Sequence, residues 1–210
     1  MNFLKIKLLI IAVIMLAASS AFASLSYDVS VNTSSLAGQS GYLYLQYNTW
    51  NGVASTATVS NFTMDGALGA QDTKDVIDGS AVTGTLPGNV VFANTNGIND
   101  YEHAITLGNS INFSLLFSSP APGGQAGGNS TFSIGLFADG PCGTPLLNTT
   151  GVSGSVPGTL LMVNLFNDGS TSAQSLDSST TATPTPIPAA AWLLGSGLMG
   201  LVGMRKRTQI

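Results

Sequence analysis

The chain is 210 residues long, 44% hydrophobic and only 8% charged, with a formal net charge of −4 at neutral pH. Five of its six Lys and Arg residues sit at the extreme ends, so residues 24–183 carry Lys74 alone against ten acidic residues, a balance of +1 − 10 = −9. An acidic body without a single arginine repels phosphates and has no guanidinium fork to hold them, which argues against nucleic acid as a partner.

Lys5 and Lys7 open the chain, followed by an uncharged apolar run from Leu8 to Ala18 and by Ala21-Phe22-Ala23. A basic start, a short apolar stretch and small residues at Ala21 and Ala23 predict a secretory signal peptide over 1–23, cut after Ala23 by signal peptidase once the Sec translocon has engaged it. From Leu25 the apolar period becomes two. Leu25, Tyr27, Val29 and Val31 alternate with polar residues, as do Tyr101, His103, Ile105 and Leu107, then Ile111, Phe113, Leu115 and Phe117, then Phe132, Ile134 and Leu136. Each set reads as a strand with one face in a core and Ser, Thr, Asn or Asp outside. Tyr42 to Tyr47 and Leu160 to Phe166 are apolar on both faces, which predicts central strands covered on both sides. Between Val59 and Phe62 the phase slips by one residue, which predicts a bulge near Ser60 and Asn61.

Turn signals separate these runs: Asn51-Gly52, Asp65-Gly66, Asp78-Gly79, Pro87-Gly88, Asn96-Gly97, Pro157-Gly158 and Asp168-Gly169. So many short strands, with no convincing amphipathic helix, predict an all-β, antiparallel β-sandwich of jelly-roll type over residues 24–173. The stretch from Pro120 to Asn129, with four glycines, reads as a loop too glycine-rich to be rigid. Residues 174–186 turn to Ser, Thr, Ala and Pro, the composition of an extended linker. After it come Pro186-Ile187-Pro188-Ala189, an apolar run to Met204, and Arg205-Lys206-Arg207. As a helix, residues 187–204 would be about 27 Å long at roughly 1.5 Å per residue. That length just spans a hydrocarbon core of about 30 Å. By the positive-inside rule the basic stop stays in the cytoplasm, as do Lys5 and Lys7, with the body outside.

Candidate chemistry in the body is sparse. The only imidazole, His103, lies on the apolar phase of its strand, where a buried, hydrogen-bonded histidine is the ordinary explanation. Asp100 and Glu102 share the opposite face, about 7 Å apart along the strand, a spacing open to a glycosidase pair or to a plain solvated face. Asp72, Asp75 and Asp78 fall within one loop and are oxygen ligands of the kind calcium takes, although no established calcium-loop spacing is matched and a simple acidic loop is the alternative. Tyr42, Tyr44, Tyr47 and Trp50, beside Gln46 and Asn48, are candidates for an aromatic sugar platform or for core packing. Cys142, the single cysteine, stands in a turn sequence and excludes an intrachain disulfide.

The tail resembles the PEP-CTERM sorting signal of Gram-negative bacteria in its VPLPA-type variant, through Pro186, Pro188, Ala189, Trp192, Gly195, Gly197, Gly200 and the closing Arg205, Lys206 and Arg207. Ile187 stands where the eponymous form has glutamate. The resemblance implies a substrate of an exosortase, a membrane transpeptidase that cuts near the proline motif, with an inner-membrane intermediate and a final place at the cell surface or outside it. The body is similar to a group of PEP-CTERM proteins of unknown function, through Ser26 to Leu43, Val59-Ser60-Asn61-Phe62, Leu86-Pro87-Gly88 and Asn99-Asp100-Tyr101. Together these readings lead to the expectation of an exported, non-enzymatic surface or extracellular-matrix protein sorted over 187–207. A carbohydrate-binding module associated with exopolysaccharide is the alternative.

Overall fold

In the computed structural model, which describes residues 25–72, 81–95, 98–118, 120–140, 143–147, 149 and 155–185, the alternating stretches become strands of two antiparallel sheets. The strands are β1 (Ser26–Asn32), β2 (Ser40–Trp50), β3 (Thr56–Met64), β4 (Ala67–Asp72), β5 (Val82–Gly84), β6 (Val90–Ala93), β7 (Asp100–Thr106), β8 (Ser110–Phe117), β9 (Asn129–Phe137), β10 (Thr159–Phe166), β11 (Thr171–Ser175) and β12 (Thr180–Pro184). The first sheet has the order β12-β1-β8-β3-β6-β5 and the second β11-β10-β9-β2-β7-β4. The expected signal peptide, the proline motif, the apolar tail and its basic stop lie outside the described residues, as do Asp75, Asp78 and Cys142.

The inner faces are those the apolar phase picks out. Tyr27, Val29, Val31, Val59, Phe92, Ile111, Phe113, Leu115 and Phe117 of the first sheet pack in one cluster with Leu43, Leu45, Tyr47, Tyr101, Ile105, Phe132, Ile134 and Val163 of the second. Rings meet across the gap: Phe132 approaches Phe92 edge-on at 5.9 Å and Phe113 at 6.3 Å, and Tyr47 lies 5.8 Å from Phe117. Edge-to-face geometry sets the positive rim of one ring on the negative face of another. The bulge falls where the phase slip put it. Register shifts between Ser60 and Thr63, Asn61 adopts φ 53°, and Phe62 thereby returns to the core, 6% exposed. β2 lies between β9 and β7, and β10 between β11 and β9, so both are interior in their sheet, but the expected cover on both sides is not found: the outward Gln46, Met162, Asn164 and Phe166 are only half-buried.

Two expectations change. The expected linker, as far as Thr185 where the description ends, is not a free spacer: Thr180–Pro184 is an edge strand docked on β1, and β11 runs to Ser175. Its Ser/Thr-rich composition suits an exposed edge, where only one side of the strand meets the core, through Thr180 and Ala182. The glycine-rich loop is tied down. The Asn167 amide donates to the Gln125 and Asn51 carbonyls at 2.9 and 3.1 Å and accepts from Val53 N–H at 2.9 Å, while Asn167 N–H donates to Gly128 O at 3.0 Å. A Cβ on Gly128 would overlap the Asn51 carbonyl, so this glycine serves close approach of backbones.

Candidate functional site

Side chains on the outer face of the second sheet are set by the same alternation, counted on the other phase. Register pairing puts Trp50, Asn129 and Phe166 in one row across β2, β9 and β10, and Asn48, Thr131, Asn164 and Ser172 in the next. Amides and hydroxyls here are bonded to one another. Asn164 Oδ1 accepts from Thr131 Oγ1 at 2.6 Å and from Asn129 Nδ2 at 3.0 Å. Trp50, the last residue of β2, is 74% exposed. Beside Phe166 lies a shallow depression of about 490 Å³ that also involves Gln125, Asn167, Asp168 and Ser170. A second, of about 260 Å³, lies on the first sheet among Asp28, Asn61, Asn112, Ser114, Thr181 and Thr183.

The four-ring sugar platform is not assembled. Tyr47 has odd parity on β2 and points into the core, fully buried, with its hydroxyl 2.7 Å from Ser55 Oγ. Burial raises its pKa above 10.0, partly offset by the Ser55 and Ser130 hydroxyls. Tyr44 is 7% exposed, stacks edge-on against Phe137 at 6.0 Å and donates to Asp100 Oδ2 at 3.0 Å, while accepting from Gln46 Nε2 at 2.9 Å. Tyr42 is half-buried, which leaves Trp50 as the one ring fully presented to solvent.

Asp100 and Glu102 also depart from the solvated-face reading, being 3% and 1% exposed. They do share the outer face of β7, in register with Gln46 and Tyr44, and Glu102 also faces Asp72 of β4. Of the three expected calcium ligands only Asp72 is described, and among the described residues no group of three His, Cys, Asp or Glu is arranged to hold a metal ion.

His103 is buried and fully hydrogen-bonded, as its place on the strand predicts. Its Nε2–H faces Gly69 O at 3.2 Å, so Nδ1 is the acceptor for the Tyr101 hydroxyl at 2.8 Å, and that hydroxyl accepts in turn from Leu86 N–H at 2.9 Å. This chain of donors defines one neutral tautomer. Burial lowers the pKa below 6.5, partly offset by the Gly69 carbonyl. The imidazole is committed to holding β7 to β4 and, through Tyr101, to the turn that follows β5.

Two polar residues that sequence reasoning passed over join the strand ends. Asn94, 5% exposed, accepts from Ser55 N–H at 2.8 Å and directs its amide to Val53 O, Ser130 Oγ and Ser55 Oγ at 2.7, 2.7 and 3.0 Å. Asn167 is the second. Both stand beside turn signals, Asn96-Gly97 and Asp168-Gly169, which marked the loops but not their long-range partners.

Both described chain ends leave at this end of the sandwich. Tyr27 pairs with Pro184, and Thr185 N–H donates to Ser26 O at 2.9 Å, so the ends lie on neighbouring strands roughly 5 Å apart. Among the described residues no helix is long and apolar enough to cross a membrane, and the expected span lies outside them. Comparison with known proteins finds no matching family model, no matching curated protein and no matching solved structure.

Proposed function

We propose that this chain is an exported, non-enzymatic surface or extracellular-matrix protein whose sandwich is a structural or adhesive unit. Its tail is sorted by exosortase-type cleavage near Pro188, in a Gram-negative bacterium. The observation that carries the reading is the side-by-side exit of the two ends. If residues 1–23 and 187–204 both enter one bilayer from one side, the domain between them has to release them together, and the β1–β12 pair does so. A domain whose ends left from opposite poles would have to route one of them back along its own length. The boundaries agree with the two proposed cuts: β1 starts at Ser26, after Ala23, and β12 stops at Pro184, before Pro188, so neither cut removes a strand.

Strand order supports the finer reading of a jelly roll, in which strands 1 and 8, 2 and 7, 3 and 6, and 4 and 5 pair as one wound hairpin. Here β1 pairs β8, β2 pairs β7 and β3 pairs β6, while β4 joins β7 and β5 joins β6. On this reading β9 to β12 extend both sheets at one side. The competing carbohydrate-binding reading rests on Trp50, since Tyr47 faces the core and Tyr44 is buried.

Pulse-chase of wild type against Pro186→Ala/Pro188→Ala tests the sorting reading. Wild type is expected to lose mass and leave the inner membrane, with the double variant retained at its earlier mass. Identical mass and membrane retention in both would contradict it.

A further inference from the structure

We infer that the end of the sandwich from which both chain ends leave is a surface that docks on a lipid bilayer, with Trp50 and Ile98 as its interfacial side chains. The inference rests on the reading of the terminal segments as membrane-directed, and it adds an orientation that reading leaves open. Four large apolar side chains are prominently exposed among the described residues: Trp50 at 74%, Leu116 at 50%, Ile98 at 42% and Val156 at 42%. Three of them lie at the exit end. Leu116 pairs with Ser26, Trp50 closes β2 in register with Asn129, and Ile98 precedes Asn99, whose N–H donates to Asn48 Oδ1 at 3.2 Å. A chain of contacts makes this one end. Phe117 N–H bonds Leu25 O, Ala121 N–H bonds Ala54 O, and Val53 N–H bonds Asn167, which holds Asn51 and Gly128 beside Trp50.

Single exposed apolar residues are ordinary and need no explanation. Their position here is what carries the argument. Trp is the side chain best suited to the headgroup region, with an apolar body and one N–H donor. Asp65, Asp139 and Asp177 cap turns at the opposite end, bonded to Ser110, Thr144 and Ser179 respectively, and Asp168 is the one exposed carboxylate in the loops at the exit end among the described residues. Asp72 and Asp100 also lie at the exit end, half-buried at the close of β4 and buried at the start of β7, so the contact is apolar in character and does not depend on a charge difference between the two ends. Such a contact is too small to recruit the protein unaided. A tether of a few residues raises its effective concentration to the order of millimolar, enough to orient a domain already attached.

Trp50 and Trp192 are the only tryptophans, so Trp192→Phe leaves Trp50 as the sole indole reporter. The chain from residue 24 to 210 carrying that change is reconstituted into phosphatidylcholine vesicles with and without brominated acyl chains. Flotation and Trp emission are read at low and high salt. The expected result is co-flotation, with Trp50 emission shifted to the blue and quenched by the brominated lipid irrespective of salt, and with both effects reduced by Ile98→Ser. Co-flotation with a water-like, unquenched Trp50 would overturn the docking surface and leave the anchor intact. Failure to float would overturn the anchor reading and the docking surface with it. An emission change with soluble exopolysaccharide and none with lipid would overturn docking in favour of a glycan site.

Discussion

Asn94→Ala offers the sharpest test of how the two sheets are joined. The amide lies between Ser55, just before β3 of the first sheet, and Ser130 on β9 of the second, and it also serves the Val53 carbonyl. Truncation removes the partner of two backbone groups, Ser55 N–H and Val53 C=O, and a buried polar group left without its bond costs about 1–3 kcal/mol. Adding one net side-chain hydrogen bond of about 1 kcal/mol gives an expected loss of about 3–7 kcal/mol. For a domain of this size each kcal/mol lowers Tm by about 2–4 °C, so Tm should fall by at least about 6 °C. Urea unfolding of residues 24–186 measures the loss directly, as a lower midpoint at unchanged slope. A cycle with Tyr47→Phe adds a second reading, because the Tyr47 hydroxyl meets the same Ser55 Oγ at 2.7 Å. Coupling above about 0.5 kcal/mol is expected for residues sharing one network. A loss under about 1 kcal/mol, with additive effects in the cycle, would refute the view that Asn94 fastens the sheets.

Three further outcomes are expected. His103 is held neutral with a lowered pKa, so the unfolded chain takes up a proton first as pH falls. Stability should be full above about pH 6.5 and decline between 6.5 and the lower folded value, and His103→Gln should flatten that slope in urea titrations across the window. Ending the chain after Ser179 removes β12 and the partner of β1 over residues 27–31; relative to a chain ending at Thr185, it should lower Tm and open the β1 amides to hydrogen exchange, while equal protection in both would contradict the docking of that strand. Gly128→Ala should cost on the order of 1–3 kcal/mol through overpacking against the Asn51 carbonyl, whereas Ser114→Ala on the outer face of the first sheet should stay within about 0.5 kcal/mol, both read by thermal unfolding.

The fold class was legible because burial on one face of a strand writes itself into sequence as a period of two. Leu25 to Val31, Ile111 to Phe117 and Phe132 to Leu136 each give one inner face without any knowledge of their partners. Even the bulge was local information, since a one-residue slip between Val59 and Phe62 has no other way to keep both inside. Pairing is a long-range matter, and composition misreads it. Thr180 to Pro184 has the residues of a linker, yet β1 offers it an open edge and it becomes β12. Parity alone separated Tyr47 from Tyr42 and Tyr44, but the burial of Tyr44, Asp100 and Glu102 on the outer face depends on which strands lie next to them.

By itself, the sequence determined where the strands and turns fall, that one face of each strand is apolar, and that all the cations but Lys74 sit at the ends. Those are properties of neighbouring residues, set by side-chain alternation and backbone preference. Only the tertiary structure decided that Asn94 and Asn167 fasten separate segments, that His103 is spent on Gly69 and Tyr101, and that Ser26 and Thr185 lie side by side where the described chain enters and leaves the sandwich. Apart from the bond between Tyr101 and its near neighbour His103, these join residues tens of positions apart, and the pairing of strands within and between two sheets brings them together.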